Sequence, residues 1–578
     1  MFVPAVYVQN LDPLGQPLLS TALAALPVLV LFCVLVPLHR PAPLAAFLGA
    51  VTAMLVAWLA YGMALPQAGL AFLHGAGFGL LPVGWTIFNA MLIYNVTVEA
   101  GQFAIVRRSV AGLSPDARIQ AILVGFSFGA FLEGAAGGGT PVAICGAILV
   151  GLGFDPFKAA VLCLIANTSP VAYGGLGTPL ITLSGVTDLP TETLSIMAGH
   201  QLPLLSCIVP VWMVRCMCPW RQTLEVWPAL AVAGGSFAAF QFVFATIHAY
   251  VPDLVLYPMT DVGGGIFSLL VMAGFLRFWQ PRTTVEYAPP AHHVEADKLA
   301  APLTALTVCR AWAPFALMSV FLMGSGLVRQ RETKGPVHVG SVPTSYKLEI
   351  PGLHREVARA ERLRKVPSEM ETERAEFEVA WVTAPGSPVL AAALVSMILL
   401  RMNAVQVGRV FRQTVRQMRI PIPTIAFMLG LSYVTRYAGM DATLGVAFAA
   451  TGALYPFFAA ILGWLGVFLT GTDAGSNALF GSLQKITATE IYKSGVLSQM
   501  TLVQSQILIC TANSTGGVMG KMIDAQSICV ATAATDQVGK EAAIFKAVLW
   551  HSIILASLVG FLTLAQAYVP TLTRMVPK

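Results

Sequence analysis

The chain has 578 residues, 56% of them hydrophobic and only 11% charged, with a mean hydropathy of +0.74 and a net charge of +6. A soluble domain carries about 25% charged residues, so the composition excludes an ordinary soluble protein and predicts a polytopic membrane protein. The modest positive balance fits basic residues beside membrane spans and gives no support to a nucleic-acid partner.

A run of ~17–25 mainly apolar residues is long enough to cross the hydrocarbon core as a helix. In the first half such runs fall near 19–38, 44–65, 83–103, 119–132, 144–164, 202–217, 228–250 and 263–278. In the second half they fall near 313–328, 388–400, 422–434, 444–469, 496–510 and 548–569. The expectation is an all-α polytopic membrane protein with about 12–14 transmembrane segments, some of them split or re-entrant. The division expected is a first membrane half over 1–285, a loop over 286–305, a span over 306–328, a polar loop over 329–386, and the rest of the second half over 387–578. No Lys or Arg precedes Arg40, so the first run lacks the basic lead of a cleaved signal and reads as a retained span. Arg40 then follows that span, and the positive-inside rule places the N-terminus outside the cytoplasm.

The polar segment 329–386 holds 19 of the 62 Asp, Glu, Lys and Arg residues. Within it Leu353, Val357, Ala360 and Leu363 recur at helical spacing among charged residues, which predicts a short amphipathic helix stopped near Pro367. The segment reads either as an extracytoplasmic cap or as a solvated linker between halves. The pair His292-His293 and nine scattered cysteines have no metal-site spacing, so no metal and no cofactor are expected.

The chain repeats its own grammar. In the first half an apolar run ends in small residues around Glu133 (a hairpin near 125–141). Then come Asn167-Thr168-Ser169 and a glycine cluster, Gly174 to Gly177 (a broken helix near 157–181). In the second half a similar run ends around Asp473 (468–484), followed by Asn513-Ser514-Thr515, Gly516-Gly517 and Lys521 (498–526). Gly/Pro-interrupted apolar segments at matching places in two halves point to a transporter's binding site. Non-helical backbone at membrane depth survives only where protein buries it or a wet cavity lines it. A broken helix there exposes N–H groups that suit an anion. The alternative is that these glycines and alanines only allow helices to pack closely.

A carboxylate at the bilayer centre costs roughly 2.5–3.5 kcal/mol on insertion scales, so Glu133 and Asp473 are functional candidates and the expected proton carriers. Gly137, Gly139, Thr140, Asn167, Thr168, Ser169, Ser476, Asn477, Asn513, Ser514, Thr515, Gly516 and Lys521 are the expected substrate contacts: backbone for a carboxylate, side chains for a hydroxyl. Gly125-Phe126-Ser127-Phe128-Gly129 matches GxSxG but lies in an apolar helical run rather than a strand-to-helix turn. No HExxH or P-loop is present, so neither metalloenzyme chemistry nor ATP-driven pumping is expected.

Four long stretches in order, GFSFGAFLEGAAGGGTPVAI, GLGFDPFKAAVLCLIANTSPVA, GWLGVFLTGTDAGSNALFGSLQ and TANSTGGVMGKMI, resemble the signature segments of the bacterial lactate permease family. The resemblance implies a secondary transporter, not an enzyme, importing L-lactate, D-lactate and glycolate by proton symport across the inner membrane. Sodium coupling or carboxylate exchange on the same fold, or a membrane-embedded enzyme, are the alternatives. It also implies two inverted repeats with re-entrant hairpins and broken helices, and a homodimer. Where relatives commonly have an aromatic this chain has Gly138, and Ala474-Gly475 replaces two hydroxyl residues beside Asp473; Tyr173 and Thr178 are also departures from the family pattern.

Overall fold

The computed structural model of the protein describes residues 6–35, 37–38, 40–137, 139–251, 256–287, 303–332, 335, 337–364 and 368–577. Gly138, Pro289-Pro290 and His292-His293 lie outside the described residues. Among the described residues nine helices are long and apolar enough to cross a membrane, or up to 11 if each of two bent pairs is one span. The chain is therefore a mostly helical, multi-pass membrane protein.

Apolar runs located the helices but misjudged their joints. The run 144–164 is two helices, Thr140–Gly151 and Pro156–Ala166. Gly153 turns the chain at φ 98°, and the Asp155 side chain accepts from the Lys158 N–H to cap the second helix. The run 444–469 likewise divides into Met440–Ala449 and Tyr455–Thr470 around Gly452 at φ 59°. The opposite error falls at 65–99, where helix continues from Leu65 to Glu99 through six π-helical residues, Gly79–Gly84. Hydrophobicity cannot reveal a turn whose residues are themselves apolar. A left-handed glycine can supply one at no steric cost.

The polar segment is built from strands, not the amphipathic helix expected from its spacing. Val357–Ala358 pairs in parallel with Tyr7–Val8, tying the start of the chain to this segment. Tyr346–Glu349 pairs antiparallel with Glu376–Val379. Leu353, Val357, Ala360 and Leu363 are all buried as the pattern demanded, but through turns, a strand and a 3₁₀ turn. Backbone partners supplied by a segment some 350 residues away decided the conformation there, a tertiary override of local period. The two halves interlock below it: helix Gly174–Thr187 packs on Asp473–Lys493, and Thr140–Gly151 on Ala525–Ala534.

Candidate functional site

Each half contributes one helical hairpin to this interface. In the first, helix Gly129–Ala136 turns at Gly137 (φ 64°) and Gly139 (φ 87°) into Thr140–Gly151. Gly129 faces Cys145 and Gly125 faces Leu149, so the arms run antiparallel. Glu133 lies one turn before the tip and is 3% exposed. Gly174 makes room for it: a Cβ there would stand 3.1 Å from Glu133 Oε1. In the second hairpin, Tyr455–Thr470 turns at Gly471 (φ 75°) into Asp473–Lys493. The Thr472 side chain caps this helix by accepting from the Gly475 N–H. Asp473, its first residue, is 2% exposed and accepts a 2.6 Å hydrogen bond from Ser514 Oγ.

A bend lies just ahead of the first glycine cluster. Pro156–Ala166 and Val171–Thr187 are bent by 64° across Asn167–Pro170. Gly175, Leu176 and Gly177 are all left-handed, at φ 53°, 60° and 82°. Leucine in that region costs roughly 1–2 kcal/mol, a strain held by the packing around it. The second break falls elsewhere than expected. Asn513-Ser514-Thr515-Gly516-Gly517 lies inside the continuous helix Leu502–Gly520, and the chain breaks only at Lys521–Asp524. The glycines there serve close packing: Cβ atoms at Gly463 and Gly516 would stand 1.8 Å from Asn513 O and 2.2 Å from Ala460 O. Within the break, Lys521 Nζ donates to Gly471 O at 2.8 Å and lies 3.2 Å from Asp524 Oδ2. Asp524 in turn caps the helix Ala525–Ala534 through the Ser527 N–H.

A cavity of about 870 Å³ opens between the hairpins. Glu133, Gly137, Asp473 and Lys521 line one part of it, with Gly174–Thr178 of the broken helix. The polar segment contributes Arg374, Glu376, Phe377, Glu378 and Trp381. His74, Arg436 and Tyr437 also reach it, where Tyr437 Oη lies 3.3 Å from His74 Nδ1 and Arg436 pairs with Glu373 at 3.2 Å. The polar segment thus caps the cavity. Lys521 and Asp524 stand within electrostatic reach of Glu133, which brings the two halves into one charged cluster.

The other expected contacts do not line the cavity. Asn513 donates to Asn477 Oδ1 (2.9 Å) and accepts from Gln484, which also receives a hydrogen bond from Tyr455. Asn477 donates to Pro179 O, and Ser476 donates to Gly463 O. This network braces the second hairpin against its neighbours. Thr515 donates to Gln201, and Gly516 meets the backbone at Ala460. Thr168 donates to Ile165 O, and Gly139 faces Val530. Thr140, Asn167 and Ser169 are buried, and their side-chain polar atoms have no hydrogen-bond partner among the described residues. Asn167 lies alongside Glu133 without completing a bond to it.

Sequence reasoning missed Asp261. It is fully buried, and its helix packs so closely on the first hairpin that a Cβ at Gly134 would stand 2.4 Å from Val262 N. Glu133, the Tyr173 backbone and Gln241 surround it. Its signal was present: an acid two residues before Gly263-Gly264-Gly265 resembles the pattern of Glu133. His74 gave no signal, because its partner Tyr437 is 363 residues away.

The L-lactate permease family profile matches residues 20–570. The glycolate permease GlcA of Escherichia coli K12 is 39% identical over 576 residues, covering 98% of this chain and 99% of the relative. The L-lactate permease of the same strain is 39% identical over 571 residues, with the same coverage. That of Bacillus subtilis 168 is 38% identical over 586 residues, covering 97% and 99%. The solved YdaH transporter of Alcanivorax borkumensis aligns at 13% identity and a TM-score of 0.29, over 85% of this chain and 86% of that one. That likeness is too slight to add to the fold described above. With a profile match over nearly its whole length and end-to-end relatives at this identity, the chain belongs to the L-lactate permease family.

Proposed function

We propose that the protein imports L-lactate, D-lactate and glycolate across the bacterial inner membrane by proton symport, with its N-terminus outside the cytoplasm. The observation that carries the coupling is the shared wall of one cavity. Two buried carboxylates, Glu133 and Asp473, line it together with Lys521. The relatives' names supply the substrate class.

In this reading the two hairpins are re-entrant and the capped side of the cavity is the side of entry. Lys521 and the start of the helix at Thr472–Ala474 attract the substrate carboxylate. Among the described residues, Glu133 Oε2 and Asp473 Oδ1 each lack a hydrogen-bond donor. A buried carboxylate oxygen in that state is satisfied when it takes a proton and itself becomes a donor. Moving a lone anion inward against a negative-inside potential costs about 2.3 kcal/mol per 100 mV. One proton per lactate makes the cycle neutral and removes that cost.

Lactate uptake into proteoliposomes under an imposed pH gradient tests this. Uptake should rise with an acid outside and collapse in the Glu133→Gln, Asp473→Asn double variant. Uptake indifferent to the gradient, or stimulated by sodium instead, rejects proton coupling.

A further inference from the structure

The capping segment holds a cluster that the transport reading does not use. Strands Tyr346–Glu349 and Glu376–Val379 place Glu349 directly opposite Glu376. Like charges opposite one another on paired strands repel. Lys347 approaches Glu376 only to 3.8 Å. Into this pair points His354, whose side chain is 9% exposed and whose Nε2 is buried with no hydrogen-bond partner among the described residues.

The tautomer of the neutral ring follows from its other nitrogen. Nδ1 lies 3.4 Å from Ala375 O, and a carbonyl only accepts, so Nδ1 carries the hydrogen. In the neutral imidazole Nε2 then presents a lone pair. A lone pair facing two carboxylates is three acceptors with no donor among them. Nε2 and one oxygen of each glutamate all lie within 4.8 Å of one another. Nε2 and Glu349 Oε1 are 3.5 Å apart. Around tetrahedral zinc, N and O ligands at about 2.0–2.2 Å stand roughly 3.3–3.5 Å from each other. The hydrogen bond to a backbone carbonyl is also the usual outer support of a metal-binding histidine.

The geometry points to a divalent transition-metal site, zinc in the first place, formed by His354 Nε2, Glu349 and Glu376. One imidazole with two carboxylates suits zinc and its neighbours better than calcium or magnesium, which prefer six or more oxygens. Glu376 also lines the cavity, and its strand carries Glu378, which Arg329 holds through two 2.6 Å contacts. A bound ion therefore clips the turn containing His354 to the cavity's rim and stiffens the cap, slowing substrate passage.

Purified full-length protein in detergent, titrated with zinc against a chromophoric chelator, tests the site. One zinc ion per chain should bind to the wild type, with affinity at least tenfold lower in His354→Ala and in Glu349→Gln. Glu349 is 70% exposed, so the second variant leaves folding undisturbed. In proteoliposomes, zinc should slow lactate uptake several-fold in the wild type and leave Glu349→Gln unchanged. Equal zinc binding by the wild type and both variants, or none by the wild type, overturns the assignment, as does equal inhibition of uptake in the two.

Discussion

Gly517→Ala separates the position of Asp473 from the stability of the helices around it. A Cβ at Gly517 would stand 2.3 Å from Asp473 Oδ1 and 3.0 Å from Val467 Cγ2. A carbon–oxygen contact relaxes at roughly 3.3 Å, so the carboxylate must move by about 1 Å. The atom displaced is the end of a side chain, not backbone, so the fold accommodates it. The carboxylate, however, leaves the 2.6 Å hydrogen bond from Ser514. A hydrogen bond to a charged group contributes about 1.5–3 kcal/mol, and each 1.4 kcal/mol is tenfold in an equilibrium. Lactate uptake should therefore fall by at least tenfold. The melting temperature, read by size-exclusion chromatography after heating, should drop by only a few degrees. Gly463→Ala is the contrast: its Cβ would stand 1.8 Å from Asn513 O, a backbone clash that neither helix can relieve by a rotamer. That variant should fail to yield folded protein. Wild-type uptake by Gly517→Ala would refute the argument, because Asp473 would then not need its observed place.

Two further outcomes follow from the bonding. Asn513→Ala removes the centre of the network joining Gln484 and Asn477 and should lower stability by about 1–3 kcal/mol, while the KM for lactate stays within about twofold. A tenfold rise in KM with unchanged melting would return Asn513 to the substrate site. The cap should also respond to acid in a defined direction. Burial alone would push Glu373 up, but Arg436 and Arg359 overcome it and hold the carboxyl below its ordinary 4.5. A depressed carboxylate contributes stability that is fully present above the ordinary value and is lost as pH falls through the lower folded value. Limited proteolysis of 337–383 should thus stay constant from pH 7 to about 5 and accelerate only in stronger acid. Loosening between pH 7 and 5 would contradict that assignment.

The sequence by itself determined the membrane class, the positions of most helices, the family, and the two carboxylates at hairpin tips. These rest on signals written locally: long apolar runs, and charges so costly in such runs that each stands out as a functional candidate. Asp261 was legible by the same rule, since its acid-then-glycine pattern matches Glu133. Tertiary structure decided what local signals cannot encode. The Asn513–Gly517 stretch reads like Asn167–Gly177, yet one is a continuous helix and the other a break. Both contain the same small residues. In one, glycines let helix backbones touch; in the other, they take left-handed φ. A glycine permits both uses equally, so only its neighbours in space choose between them. The cap followed the same logic: the 3.6-residue spacing of Leu353 to Leu363 correctly gave their burial, but a strand from the far end of the chain set their conformation.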